Sequence, residues 1–132
     1  MLFYTSESSL ILVATGWFHQ NFTKYKDYCQ VVDLNSRKSC ENLPPYPVPM
    51  HHGGGGLLDG IPVICGGYGS SATALQSECY FHNKTTNAWT LLGNMKNVRS
   101  EFGFTLLNGG LWVTGGYAPS LTTGYLVANC IL

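Results

Sequence analysis

The sequence predicts an all-β protein in which a unit of short antiparallel strands is repeated. Two stretches align without a gap at an offset of 49 residues, LLDGIPVICGGY at 57–68 and LLNGGLWVTGGY at 106–117. Six of their twelve positions are identical. In each copy an Asp-Gly or Asn-Gly pair precedes an apolar run, which is typical of a β-hairpin. No segment has a helical period, so the recurrence indicates a β-repeat architecture.

The composition excludes several classes of protein. Seven basic residues balance seven acidic ones, which removes the electrostatic basis for nucleic-acid binding. The apolar fraction of 45% and the aromatic fraction of 13% are too high for a disordered chain. No apolar run approaches the roughly 20 residues of a membrane-spanning helix. The apolar run at residues 10–14 lacks a basic region before it, so we interpret it as a strand rather than a signal peptide.

Each unit is predicted to contain up to four strands, because apolar runs of strand length alternate with turn residues. In the first unit, about residues 1–45, the strands are expected at 2–5, 10–14, 28–33 and 38–43. In the second unit, about 51–95, they are expected at 51–58, 61–65, 78–82 and 88–92. The third unit, 101–132, is incomplete, with strands expected at 102–107, 111–114 and 123–127. Prolines at 44–49 separate the first two units, because proline donates no ladder hydrogen bond.

The second unit resembles the kelch family, whose repeat of about 50 residues forms one blade of a β-propeller. In the family pattern a Gly-Gly pair ends the second strand and a Trp stands on the fourth. This unit supplies Gly66-Gly67 and Trp89 at those places, followed by Leu92, Met95 and Arg99. Glycines there would allow a close backbone approach, and the Trp would pack between neighbouring blades.

The other two units follow the same pattern less completely. The third keeps Gly115-Gly116, whereas the first has Thr15-Gly16 and carries Cys40 where the family has Trp. The resemblance therefore implies a kelch-type β-propeller fragment of somewhat under three blades. Because propellers close with about four to eight blades, the remaining blades are expected from a longer chain or another subunit.

Cysteines and sequons bear on the compartment. The five cysteines form no C-x-x-C pair, so neither a zinc site nor a thioredoxin-like motif is supported. Cys29 and Cys40, like Cys65 and Cys79, lie on neighbouring predicted strands, so each pair forms either a disulfide or two buried thiols. N-glycosylation sequons begin at residues 21 and 83, at Asn21 and Asn83. Together these features favour a secreted protein, with a cytoplasmic one as the alternative.

No catalytic or metal-binding constellation stands out. His51-His52 precede four glycines, but the glycine run lacks the Lys-Ser/Thr of a phosphate-binding loop. Because adjacent strand residues point to opposite faces, the two imidazoles are not expected to share an ion. We find no carboxylate pair, nucleophile elbow or Ser/His/Asp constellation, and we predict no cofactor and no metal site.

The resemblance implies a non-enzymatic protein-binding module that contacts its partner through loops on one face. A fragment of a secreted galactose-oxidase-like copper propeller is the alternative. Aromatic and Arg side chains are favoured at protein-binding hot spots. We expect Tyr68 and Tyr117, beside the glycines, mainly to pack against neighbouring loops. The partner-binding candidates in these loops are Trp17, Phe18, His19, Phe22, Tyr25, Tyr46, His51 and Arg99.

Overall fold

The computed structural model describes residues 2–4, 10–17, 25–36, 38–69, 74–118 and 128–131. Within these residues the chain forms strands and no helix. The strands are β1 (Leu2–Tyr4), β2 (Leu10–Trp17), β3 (Tyr25–Asp33), β4 (Lys38–Leu43), β5 (Gly54–Leu58), β6 (Ile61–Tyr68), β7 (Leu75–Asn83), β8 (Ala88–Asn94), β9 (Gly103–Leu107), β10 (Gly110–Thr114) and β11 (Ala128–Ile131).

The strands form three antiparallel sheets whose strand order follows the chain. We name them blade 1 (β1 to β4), blade 2 (β5 to β8) and blade 3 (β9 to β11). The first two blades have four strands, and the described part of the third has three. Simple meanders of this kind need only short connections, which agrees with the turn residues found between the strands.

The hairpins that open blades 2 and 3 have the same turn geometry. Asp59 and Gly60 have φ angles of 49° and 74°, and Asn108 and Gly109 have 52° and 73°. Two consecutive positive φ angles define the type I′ turn, whose twist matches that of the flanking strands. The sequence prediction of a hairpin at both places is correct, because Asp, Asn and Gly adopt this conformation at least cost.

Strand ends differ from the prediction around the glycine pair. Gly66 and Gly67 were expected to end the second strand, but β6 continues to Tyr68, which pairs with Leu75. The ladder is maintained by a register shift between Cys65 and Gly67, so the strand bends instead of ending. The strand expected at 123–127 lies outside the described residues, and β11 follows it at Ala128–Ile131.

The core lies between the blades. One cluster of buried side chains fills the space between blades 1 and 2, and a second fills the space between blades 2 and 3. β6 contributes to both, because Ile64 faces blade 1 while Val63 and Cys65 face blade 3. Blade 2 is therefore a layer that buries its two faces against its two neighbours.

Tyr46 belongs to the first of these clusters, which corrects its assignment as a partner-binding candidate. Its side chain is only 3% exposed, and its hydroxyl donates a hydrogen bond to the carbonyl of Ile64 at 3.2 Å. The ring makes edge contacts with Tyr80 and Trp89, at centroid distances of 5.5 and 5.2 Å. Burial raises the pKa of its phenol far above the ordinary value, so the hydroxyl stays protonated.

Arg99 is also part of the interior, and its assignment to the partner-binding surface is corrected as well. The side chain is 1% exposed, and its Nη1 donates a hydrogen bond to the carbonyl of Gly115 at 3.1 Å. Burial lowers the pKa of the guanidinium. Met50 occupies the same position one repeat earlier and is equally buried. The repeat therefore places this position in the core whichever residue occupies it.

A disulfide joins Cys65 and Cys79, one of the two pairs that the sequence left open. The residues face each other across β6 and β7 with their Cα atoms 4.0 Å apart. In blade 1, Cys29 is buried and lies opposite Ala14 on one side and Leu43 on the other. The register thus does not set Cys40 directly across from it, and the side chain of Cys40 lies outside the description. The Cys29–Cys40 pairing stays a prediction.

Candidate functional site

The end of β6 and the segment that follows β10 meet the preceding linkers at equivalent places. His51 and Tyr68 exchange two backbone hydrogen bonds, of 3.0 and 2.8 Å. One repeat later Ser100 and Tyr117 make the same exchange, at 3.1 and 2.8 Å. The two repeats are also joined directly, because the N–H of Glu101 donates to the carbonyl of His52 at 2.8 Å. Paired backbone bonds therefore hold this edge in a defined geometry.

Three rings stack along this edge, and we call His51, Tyr68 and Tyr117 the aromatic row. The ring centroids of His51 and Tyr68 are 5.3 Å apart with an interplanar angle of 24°. Those of Tyr68 and Tyr117 are 6.4 Å apart at 26°. These values fall within the range of offset stacking between aromatic side chains. The row crosses from one blade to the next, so it is created by packing of the repeats.

The aromatic row remains accessible to solvent although its members contact one another. Tyr117 is 50% exposed, whereas Tyr68 and His51 are half-buried. The two tyrosines were expected mainly to pack against neighbouring loops. They do pack against each other, but part of each side chain also faces solvent. Their stacked faces hold each other in position while their outer surface stays open.

His52 adds a second imidazole to this edge and overturns one sequence-based expectation. The two histidines were expected on opposite faces of a strand, but β5 begins only at Gly54. His52 has a φ of 56°, which breaks the alternation, and its Nδ1 contacts the Nδ1 of His51. Glu101, at the equivalent position, also has a φ of 56°. The imidazoles therefore lie together and not apart.

Local electrostatics favour a neutral His51. Burial lowers the pKa of its imidazole, and the neighbouring His52 lowers it further, while Glu101 acts in the opposite direction. A neutral ring carries one N–H donor and one acceptor nitrogen. In that form His51 offers the edge an aromatic face together with one donor and one acceptor nitrogen.

Two of the other sequence candidates lie at the equivalent end of blade 1. Trp17 and Tyr25 pair at the end of the β2–β3 ladder, as Tyr68 and Leu75 do in blade 2. The structure describes their backbone only. Phe18, His19 and Phe22, and the sequon residue Asn21, lie outside the described residues. Of the predicted candidates, the structure thus places His51 in the aromatic row.

Sequence reasoning missed part of this edge. His52 was set aside as a strand residue, and Tyr117 was treated mainly as a packing residue. For Tyr117 the signal was the repeat itself, because Tyr68 and Tyr117 are separated by 49 residues and so recur at the same place in consecutive blades. The repeat gives no such signal for His52, since Glu101 stands at its equivalent position.

The described part of the chain contains neither a candidate membrane span nor a candidate metal cluster. No helix in those residues has the length and apolar character needed to traverse a bilayer. In the same residues, no group of three or more His, Cys, Asp or Glu side chains is arranged to hold a metal ion.

The sheets and their packing define the class of protein. Antiparallel meanders of up to four strands pack face to face, and the second strand of blade 2 bends at the Gly66-Gly67 pair, so the chain is a kelch-type β-propeller fragment. No family model matches it. Curated kelch-repeat proteins do: an F-box/kelch-repeat protein of Arabidopsis thaliana is 30% identical over 112 residues. Human Kelch-like protein 42 is 34% identical over 74 residues.

Each match covers only part of the relative's length. The first match covers 77% of this chain and 31% of the Arabidopsis protein, and the second covers 56% and 14% of the human protein. Among solved structures, that of YjhT covers 89% of this chain and 33% of its own, with a TM-score of 0.68 at 17% identity. The chain thus spans about a third of the length of the Arabidopsis relative. The likeness to the YjhT structure supports the propeller fold.

Proposed function

We propose that this chain is part of a non-enzymatic protein-interaction module and that the aromatic row contributes to partner binding. The observation that carries the proposal is the stacking of His51, Tyr68 and Tyr117 across two blades with half of Tyr117 exposed. Aromatic side chains that are already held in place lose little conformational entropy on binding, so they favour affinity. The kelch-repeat relatives support a protein as the partner class.

The geometry favours a broad partner surface over a small ligand. The row lies along an edge of two packed sheets, with His52 and Glu101 exposed beside it. Stacked rings at the centre and polar groups at the margin resemble the anatomy of protein interfaces. Trp17 and Tyr25, which pair at the equivalent end of blade 1, are proposed to take part in binding as well. Phe18, His19 and Phe22 lie outside the described residues and stay partner-binding candidates from the sequence.

A matched pair of substitutions tests the proposal. Tyr117 and Leu91 are both 50% exposed, but Leu91 lies on the outer strand β8, away from the aromatic row. Proteins captured by the full-length protein are identified by mass spectrometry, and their affinities for each variant are measured. We expect Tyr117→Ala to weaken binding by roughly tenfold or more, as hot-spot substitutions do, and Leu91→Ala to leave it unchanged.

The opposite result would reject the role of the aromatic row. If Tyr117→Ala and a second variant, Tyr68→Ala, bind every partner as the unsubstituted protein does, the row has no part in recognition. Copper retained by the purified full-length protein, with oxidase turnover, would instead support the enzymatic alternative. Circular dichroism of each variant verifies that the fold is retained.

A further inference from the structure

The turn between β7 and β8 carries an N-glycosylation sequon, which the proposed partner binding does not involve. Asn83 ends β7 and pairs with Ala88 at the start of β8. Ala88 and the turn residues 84–87 are exposed. Asn83-Lys84-Thr85 is an N-x-Thr sequon, the acceptor motif for N-linked glycans. The structure thus places the sequon on a hairpin turn that a modifying enzyme can reach.

Only one half of the Asn83 carboxamide is needed for the turn. Its Oδ1 accepts hydrogen bonds from the backbone N–H groups of Thr85 and Thr86, at 2.9 and 3.4 Å. In blade 1, Asp33 builds the equivalent turn in the same way, accepting the N–H of Asn35 at 2.9 Å. Because an aspartate, which has no amide nitrogen, suffices there, the Nδ2 of Asn83 is not required for folding the turn.

The turn lies at the far end of the blade from the aromatic row. β7 runs nine residues from Leu75, which pairs with Tyr68, to Asn83. At about 3.3 Å per residue the two ends are roughly 26 Å apart. A glycan on Asn83 would therefore leave the aromatic row uncovered.

An independent observation on the same strand points to the compartment in which such glycans are attached. Cys79 of β7 forms a buried disulfide with Cys65 of β6. Disulfides form and persist in oxidising compartments such as the lumen of the endoplasmic reticulum, and they are rare in the cytosol. One strand thus carries both a cross-link and an acceptor motif of the secretory route.

We propose that Asn83 is an N-glycosylation site. In the transfer step Nδ2 attacks the anomeric carbon of a lipid-linked oligosaccharide pyrophosphate. The new C–N bond replaces the bond from that carbon to the pyrophosphate oxygen, which leaves with the electron pair. A proton is lost from Nδ2 to a base, and no redox change occurs. Thr85 supplies the hydroxyl that the acceptor motif requires.

The test uses the full chain directed into the secretory pathway of cultured cells, with Asn21→Gln as background. Cell extract and medium are treated with peptide N-glycosidase F, which removes the glycan and converts the acceptor Asn to Asp. We expect a mobility shift, with Asn83 converted to Asp by peptide mass spectrometry. Asn83→Gln and Thr85→Ala should abolish the shift, and Thr85→Ser should retain it.

Two further variants make the result decisive. Thr86 also donates its N–H to Asn83 but lies outside the sequon, so Thr86→Ala should remain glycosylated. Asn83→Asp reproduces the turn of blade 1 without an acceptor nitrogen, so it should be secreted at the unsubstituted level and lack the shift. Absence of the shift in the Asn21→Gln background, or its persistence in Thr85→Ala, would overturn the proposal whether or not the aromatic row binds a partner.

Discussion

The indole N–H of Trp89 donates a hydrogen bond to the backbone carbonyl of Pro44 at 2.9 Å, which joins blade 2 to the segment that follows blade 1. The same ring packs edge-on against Tyr46. A residue on the outer strand of one blade is thus held by the linker of the preceding blade. This contact explains how the chain orients consecutive repeats although each is a separate sheet.

We expect Trp89→Phe to lower the free energy of unfolding by about 1–2 kcal/mol, because the inter-blade hydrogen bond and part of the packed area are lost. Trp112 is the matched control, since its N–H donates to Leu107 within one hairpin and its side chain is 42% exposed. Trp112→Phe should change the stability by less. Equilibrium urea unfolding measures both, and equal losses would argue against a special role for the Trp89 contact.

The glycine pair gives a second prediction. A Cβ atom on Gly67 would lie 2.7 Å from the carbonyl oxygen of His51, whereas one on Gly60 would meet nothing within 4 Å. Both residues have positive φ angles, of 98° and 74°. We expect Gly60→Ala to cost about 1 kcal/mol from backbone strain, and Gly67→Ala to cost considerably more because backbone must also move. Thermal unfolding compares them, and similar melting temperatures would contradict the close approach.

Substitutions at Arg99 test whether its side chain lies in the core or on the surface. We expect Arg99→Ala to lower the free energy of unfolding by roughly 2–5 kcal/mol, the range for truncating a large buried side chain. Arg99→Met, which copies Met50 of the preceding repeat, should restore part of this loss because it fills the space. Lys96→Ala, at an exposed position of the same linker, should have little effect. Urea titrations measure the free energy of unfolding of each variant. If Arg99→Ala left it unchanged, the burial of Arg99 would be refuted.

The disulfide makes the fourth prediction. Cys65 and Cys79 are separated by 14 residues, and closing a loop of about that size stabilises a protein by roughly 3 kcal/mol. The double variant Cys65→Ala/Cys79→Ala should be less stable by about that amount, and dithiothreitol in the urea titration should narrow the difference. Non-reducing peptide mapping reads the bond directly. Recovery of both cysteines as free thiols would contradict it.

Hairpins and repeats were predictable because their causes are local. Asp59-Gly60 and Asn108-Gly109 adopt the type I′ turn for reasons contained in two residues, and the spacing of 49 residues shows that the unit recurs. Apolar runs between such turns then indicate strands. These features need no knowledge of neighbouring blades.

Interior positions were less predictable because residue type alone misleads. Arg and Tyr usually have polar groups in water, so Arg99 and Tyr46 were assigned to a binding surface. In the structure Arg99 donates to the carbonyl of Gly115, and Tyr46 donates to the carbonyl of Ile64. These hydrogen bonds offset the loss of water on burial, and they form only where the two segments meet.

The sequence by itself thus determined the all-β class, the repeat and the kelch-like pattern, since these depend on short-range turn chemistry and periodicity. Only the tertiary structure decided that His51, Tyr68 and Tyr117 stack, that His51 and His52 lie together, and that Cys65 meets Cys79. Each of these depends on a strand register, a bulge or a positive φ angle that brings distant residues to one place. Stacking across two blades requires the packing of whole sheets, which no single stretch of sequence contains.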